Sequence, residues 1–332
     1  MGGIERVSAL LAERFVHGGH EVTVVTQSAG PAVPATYKVV RRPSLRRLLS
    51  LVVDCDVVLH NQISLRLAWP LLLVRRPWVV AHHSWIDIHG ASRLAVAVKR
   101  GVLGRARHIA VSRAIADSLP VPSRIVPNPY ADAVFTPQPD VPRERELLFV
   151  GRLVSDKGVD LLLEALSQLR QHGQTPGLSI VGDGPEAAAL QAQARHLGLA
   201  DQVQFSGPLH GTALARALSS HRFLVMPSVW AEPFGLVALE ALACGCLPLV
   251  ARTGGLPEAI GPCGLSFAPG NVADLALCLQ AALADPAERE RQLAKAPSHL
   301  ARHRAARVAQ DYLEVLADAR RSDRPAPRVA GA

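Results

Sequence analysis

Short apolar segments rich in Val, Ile and Leu alternate with stretches of helical period, and the alternation occurs twice along the chain. In the first series, a helical stretch at residues 4–15 is stopped by Gly18 and Gly19. Strand-like segments then stand at 21–26, 55–59, 78–81 and 108–111, the last followed by Ser112 as a helix cap. The second series is denser. Strands at 147–150, 178–181, 203–205, 223–226 and 247–250 alternate with helices at 159–169, 186–197, 212–218 and 236–243. Apolar strands separated by amphipathic helices imply parallel sheets covered on both faces. The expected class is therefore α/β, with two doubly wound domains, and 332 residues suit two domains of roughly 150 each. Six prolines between 122 and 142 make a loop-rich connection. We place the domains at 1–142 and 143–300, with a closing helix at 301–320 and a disordered tail at 321–332.

Composition excludes several classes. Apolar residues make up 49% and charged residues 19%, which suits a packed core. The longest run free of charged and strongly polar residues is 241–251, far short of the ~20 residues a membrane helix needs. The five cysteines are scattered and form no C-x-x-C pair, which argues against a disulfide framework or structural zinc and suits a reduced, cytoplasmic compartment. The formal charge is +8, and residues 1–142 carry all of it, with 17 Lys/Arg against 9 Asp/Glu. This asymmetry fits an acidic partner for the first half, and it equally fits solvated surface charge. Nucleic acid is disfavoured, because stacking aromatics are few and no binding motif is present. An anionic membrane surface is the better candidate, with peripheral attachment to the inner face.

Chemistry-bearing residues concentrate in the second half. The segment GRLVSDKG at 151–158 follows a strand and opens a helix, where a diphosphate could lie between Arg152, Lys157 and free amides. Spacing alone leaves both as ordinary surface cations too. The segment PSVWAEPFGLVALE at 227–240 places Glu232 ahead of a helix that Pro233 helps to start. Glu240 lies on that helix among small apolar residues, where a buried carboxylate needs partners such as a ribose diol. A favourable charge at a helix start and a solvated face remain the plain alternatives.

The stretches FVGRLVSDKGVDLLLEAL, VGDGPEAAALQAQARHLGL and MPSVWAEPFGLVALEALACGCLPLVARTGGLPEAI resemble the retaining glycosyltransferases of family 4. In the first half GGIERV, GHEVTVVT, VVAHHS, HIAVSRAIADSL and VPNPYADAVFTP follow the same order. The resemblance covers residues 2 to about 285 and implies the GT-B fold, two Rossmann-like domains facing each other across a cleft. It implies a nucleotide-diphosphate sugar, UDP- or GDP-linked, as donor and a glycan, lipid-linked or other hydroxyl acceptor, in polysaccharide or glycolipid synthesis. By resemblance, Arg152 and Lys157 hold the diphosphate and Glu232 contacts the reacting sugar. The amides of Phe234, Gly235 and Leu236 touch sugar and distal phosphate, and Glu240 binds ribose. His83 stands near the reacting sugar, with His82 as its fallback. Gly2 and Gly3 form a phosphate-approaching loop, and the Gly182-Asp183-Gly184 turn lies near the nucleoside.

The implied reaction requires no metal or other cofactor, because cations and helix amides would neutralise the leaving diphosphate. Retention would proceed on one face of the sugar, the departing phosphate oxygen taking the acceptor proton. A metal hydrolase built on His82, His83, Asp87 and His89 lacks the helical spacing, and His299 with His303, four apart on a helix, lacks a third ligand. A sugar-nucleotide epimerase of the same fold and a non-catalytic binding protein are the alternatives. Departures from the family lie at Asn128-Pro129 and Ala131. The family also has a central β-strand ahead of GGIERV, and we expect the true start of this chain to lie upstream.

Overall fold

The computed structural model describes residues 3–30, 35–86 and 93–323. Gly2, Asp87, His89 and the tail beyond 323 lie outside the described residues. The chain divides into two units, Met1–Asn128 with Ala305–Ala332, and Pro129–Arg304. The first begins with α1 (Gly3–His17), β1 (Thr23–Thr26) and β2 (Lys38–Arg41). It continues with α2 (Leu45–Asp54), β3 (Val58–Asn61), the short helices α3 (Leu65–Ala68) and α4 (Pro70–Leu73), and β4 (Trp78–His82). Then come α5 (Arg93–Leu103), β5 (Arg107–Ala110), α6 (Arg113–Ser118) and β6 (Arg124–Ile125).

Local chemistry accounts for several of these boundaries. Ser44 caps α2 by accepting from the Arg47 amide at 3.3 Å. Ser112 caps α6 by accepting from the Ile115 amide at 3.2 Å, as expected from sequence. Cys55 is the C-cap of α2, so β3 starts at Val58 and not at 55. The strands are parallel but form two sheets, β1-β2 and β3-β4-β5-β6. Among the described residues no strand pairs with both β1 and β3, and such pairing is what would join them into the single sheet expected. The difference shows in burial: β1 is half-buried along its length, whereas β4 is buried throughout. Val52 of α2, Leu71 of α4 and Leu103 of α5 pack on Trp78 and Val80, one face of β4.

The second unit runs β7 (Arg145–Val150), α7 (Val159–Gln171), β8 (Leu178–Val181), α8 (Ala187–His196), β9 (Val203–Gly207), α9 (Gly211–Ser220) and β10 (His221–Met226). It continues α10 (Leu236–Ala243), β11 (Leu247–Ala251), α11 (Leu256–Ile260), β12 (Leu265–Phe267), α12 (Val272–Ala284), α13 (Pro286–Leu293) and α14 (Ala296–Ala301). Its six strands are all parallel, in the order β12-β11-β10-β7-β8-β9. Leu147 and Leu148 of β7 lie opposite Phe223 and Leu224 of β10, and all four are fully buried. Each such side chain contributes about 1.5–3 kcal/mol.

The last helix, α15 (Ala305–Asp323), packs on α1, β4 and β5 and so belongs to the first unit. Its buried stripe of Val308, Tyr312, Val315 and Ala319 recurs at helical spacing and requires an apolar partner. The sequence boundaries at 142 and 300 differ from the observed divisions after Asn128 and Arg304. The helix expected at 301–320 starts later and continues three residues further, because residues 296–301 form the separate turn of α14. All five cysteines are free.

Candidate functional site

In the second unit the chain runs from β7 outward to β9, returns to β10 and then proceeds the other way. β7 and β10 therefore flank the point where strand order reverses, and ligands of open parallel sheets bind beyond the carboxyl ends of such strands. The loop after β7 carries Gly151 to Gly158, and the loop after β10 carries Pro227 to Gly235. The two sequence motifs thus meet at the place the topology reserves for a ligand.

Backbone contacts lace these loops together. The carbonyl of Asp156 accepts from the Val229 amide at 3.1 Å. Gly158 has φ of 65°, and a Cβ there would lie 2.2 Å from the Pro227 carbonyl oxygen. The loop after β8 joins on the other side, where the Leu153 amide donates to the Asp183 carbonyl at 2.9 Å. Gly182 closes against Gly151, whose carbonyl oxygen would be 1.8 Å from an added Cβ. The Gly182-Asp183-Gly184 turn is thus a packing requirement of the GRL loop, whatever it does for a nucleoside.

Lys157 ends a 3₁₀ turn at Ser155–Lys157, and α7 starts beyond Gly158. Its Nζ forms an ion pair with Glu232 Oε1. Ser228, fully buried, donates its hydroxyl to the same oxygen at 2.8 Å. The Lys157 and Glu232 side chains are 25% and 12% exposed, so the pair is shielded but within reach of a ligand. Arg152 is exposed on the same loop.

Glu232 lies four residues ahead of α10, further than expected from Pro233. Its carbonyl accepts from the Gly255 amide at 2.7 Å, which ties the EPFG loop to the residues after β11. Gly235 is the N-cap; the amides of Phe234 and Gly235 precede the helix and that of Leu236 opens its first turn, where helices lack carbonyl partners. Glu240 is 3% exposed on α10 between the buried Leu239 and Ala241. A carboxylate so enclosed requires polar partners.

In the first unit, His83 follows β4 and is buried. Its Nδ1 lies 3.0 Å from Asn128 Oδ1, and its Nε2 lies 3.4 Å from Asn61 Oδ1. Burial lowers its pKa to about 4, against the raising effect of Asn128, so the ring is neutral at pH 7. Asn61 Nδ2 donates to Ser8 Oγ at 2.8 Å, which links the histidine to α1, the helix that Gly3 begins. His82, the fallback, points elsewhere. Its Nε2 is 3.1 Å from His108 Nδ1, it is wholly buried, and burial with neighbouring His108 and His83 lowers its pKa to about 3.

Three residues escaped the sequence reading. Ser228 had no signal beyond its place in a motif. Asn128 stood out only as a departure. Gln62 is more telling: it is one of two non-glycine residues at positive φ among the described residues, at 70°. Its Oε1 accepts from the amides of His83 at 3.0 Å and Ser84 at 3.2 Å. A strained residue of this kind costs about 1–3 kcal/mol and persists when its surroundings hold it. Gln62→Ala should speed hydrogen exchange at the His83 and Ser84 amides roughly fivefold, since each loses one bond of about 1 kcal/mol. Gln62→Glu should restore protection. Unchanged exchange in the alanine variant would show that other contacts hold this turn.

His299 and His303 prove structural. α14 ends at Ala301, so they do not share a helix. The ring centroids lie 4.8 Å apart with the planes tilted by 54°, and His299 Nε2 donates to the Ala259 carbonyl at 2.7 Å.

Residues 135–299 match the family model described as Glycosyl transferases group 1. Over 192 residues the chain is 39% identical to a glycogen synthase of Mycobacterium tuberculosis, covering 55% of this chain and 45% of that protein. Over 167 residues it is 35% identical to a D-inositol 3-phosphate glycosyltransferase of Rhodococcus opacus, covering 48% and 37%. The chain thus spans less than half the length of these curated relatives. A glycosyltransferase structure from Rickettsia africae superposes with a TM-score of 0.79 at 16% identity, over 96% of this chain and 95% of that one. Anabaena HepE, solved with UDP and glucose, gives 0.79 at 20% identity over 95% and 96%. The fold is GT-B, and the matches support the group 1 glycosyltransferase superfamily.

Proposed function

We propose that this chain is a retaining glycosyltransferase of the family 4 kind. It moves a sugar from a UDP- or GDP-linked donor to a hydroxyl on a glycan or lipid-linked acceptor. The observation that carries this reading is the meeting of Lys157, Glu232 and the start of α10 beyond the β7/β10 switch point, with Glu240 buried on that helix. Arg152, Lys157 and the amides of Phe234, Gly235 and Leu236 take the diphosphate, and Glu240 takes the ribose hydroxyls. The bond from the anomeric carbon to the phosphate oxygen breaks as the acceptor oxygen bonds on the same face. The acceptor proton passes to the departing phosphate oxygen, so the charge is met by protein cations and amides without a metal. Glu232 acts on the reacting sugar, and the first unit's neutral His83 and Gly3 keep the roles that the resemblance implies for them.

A thermal-shift series with UDP, GDP and their sugars tests the donor. A ligand at a hundred times its Kd stabilises by about 2.7 kcal/mol, so a true donor separates clearly from the rest. Glu240→Gln should weaken nucleotide binding by about 1.5–3 kcal/mol, roughly 10- to 150-fold, with the fold intact. Equal affinity in the two proteins would remove Glu240 from the site.

A further inference from the structure

Two donors meet on one oxygen of Glu232. The Lys157 ammonium and the Ser228 hydroxyl both bond to Oε1, and among the described residues no hydrogen bond reaches Oε2. An ionised carboxylate only accepts, so the serine donates. The two partners differ in how firmly they are placed. Lys157 has a long, half-buried side chain, whereas that of Ser228 is short and fully buried. The loop after β7 fixes the residues on both sides of Ser228. Gly158 packs against the Pro227 carbonyl, and the Val229 amide donates to the Asp156 carbonyl at 3.1 Å. The main chain of Glu232 is held as closely. Gly254 has φ of 56°, and a Cβ there would lie 2.1 Å from the Glu232 carbonyl oxygen. What remains free is the glutamate side chain, with three torsions between backbone and carboxylate.

We propose that Ser228 is a positioning residue, whose hydroxyl holds Glu232 through Oε1 and leaves Oε2 to the donor sugar. This rests on the reading that Glu232 faces the reacting sugar and that the diphosphate draws Lys157 away. Once the ammonium has turned to the diphosphate, Ser228 is the side chain that still holds the carboxylate. A glutamate anchored by lysine alone would lose its orientation as the sugar arrives, and orientation is what a bound reactant requires. Ser228 therefore acts on the sugar through Glu232 and leaves the diphosphate untouched.

The test is calorimetry on the full chain with UDP, UDP-glucose, GDP and GDP-mannose, taking forward the nucleotide pair that binds more tightly. Ser228→Ala should keep its affinity for the nucleoside diphosphate within about twofold and lose about tenfold for the nucleotide sugar. In the Glu232→Ala background the same serine change should cost less than about twofold, because nothing is left to position. Ser228→Thr keeps the hydroxyl and should regain most of the sugar affinity; the double-variant cycle decides if its methyl group does not fit the buried site. Equal losses for diphosphate and nucleotide sugar make Ser228 a structural residue and overturn the proposal. So does a full serine effect without Glu232, or unchanged sugar affinity in Ser228→Ala beside a clear loss in Glu232→Ala. If Glu232→Ala keeps its sugar affinity, the role of Glu232 falls, and Ser228 with it. If the wild type binds none of the four nucleotides, the donor itself is misassigned.

Discussion

Glu232→Gln and Lys157→Met are expected to part the two halves of one ion pair in opposite ways. Lys157 Nζ is held by Glu232, and a donor diphosphate competes for the same ammonium. Neutralising Glu232 releases Lys157 to the phosphate, so nucleoside diphosphate affinity should hold or rise. Transfer should nevertheless fall about 10²- to 10³-fold, the usual loss when one polar group facing developing charge is removed. Lys157→Met removes the cation and leaves Glu232 with the Ser228 hydroxyl. Affinity for the diphosphate should then fall by about 1.5–3 kcal/mol, the worth of a charged hydrogen bond. Calorimetry with the diphosphate and a separate turnover assay divide the two effects. Equal losses of diphosphate affinity in both variants would falsify the competition between carboxylate and phosphate.

Gly158→Ala should be strongly destabilising to the second unit. The residue has φ of 65°, a conformation that costs a non-glycine residue about 1–2 kcal/mol. The added Cβ would also lie 2.2 Å from the Pro227 carbonyl oxygen, and backbone must move to admit it. Overpacking of this kind adds about 1–3 kcal/mol. At roughly 2–4 °C per kcal/mol for a unit of this size, the melting temperature should fall by about 5–15 °C. Gly173→Ala is the matched control, with φ of 79° and no atom within 4 Å of its Cβ. It should show the conformational cost alone. If both variants lose the same stability, the contact with Pro227 carries no weight, and Lys157 is not placed by it.

Much of the second unit was legible in the sequence. Strand 178–181 and helix 236–243 appear at the expected bounds, as Leu178–Val181 and Leu236–Ala243. Their patterns are local: a short β-branched run between turn residues, and a run of helix formers after Gly235. Glu240 was conspicuous because a carboxylate interrupts that apolar run. In the first unit α2, α4 and α5 were not foreseen. α4 is only four residues long, too short to show a period, whereas α2 and α5 are strongly amphipathic, so their period was present in the sequence and went unread.

The sequence by itself determined the alternation of strands and helices, and hence the α/β class. It also determined which residue types stand at the carboxyl ends of β7 and β10. It could not determine that those ends adjoin. Lys157 and Glu232 are 75 residues apart, and their pairing follows from strand order, which is decided by how the sheet buries its faces. The same holds for α15, whose apolar stripe is plain in sequence but whose partner, the first unit, is chosen by packing. Gln62 is the clearest case. No local preference puts glutamine at φ of 70°; that conformation exists because two amides of the next loop bind its side chain. Local propensity acts over a few residues, whereas these contacts join segments that meet only after the chain has folded.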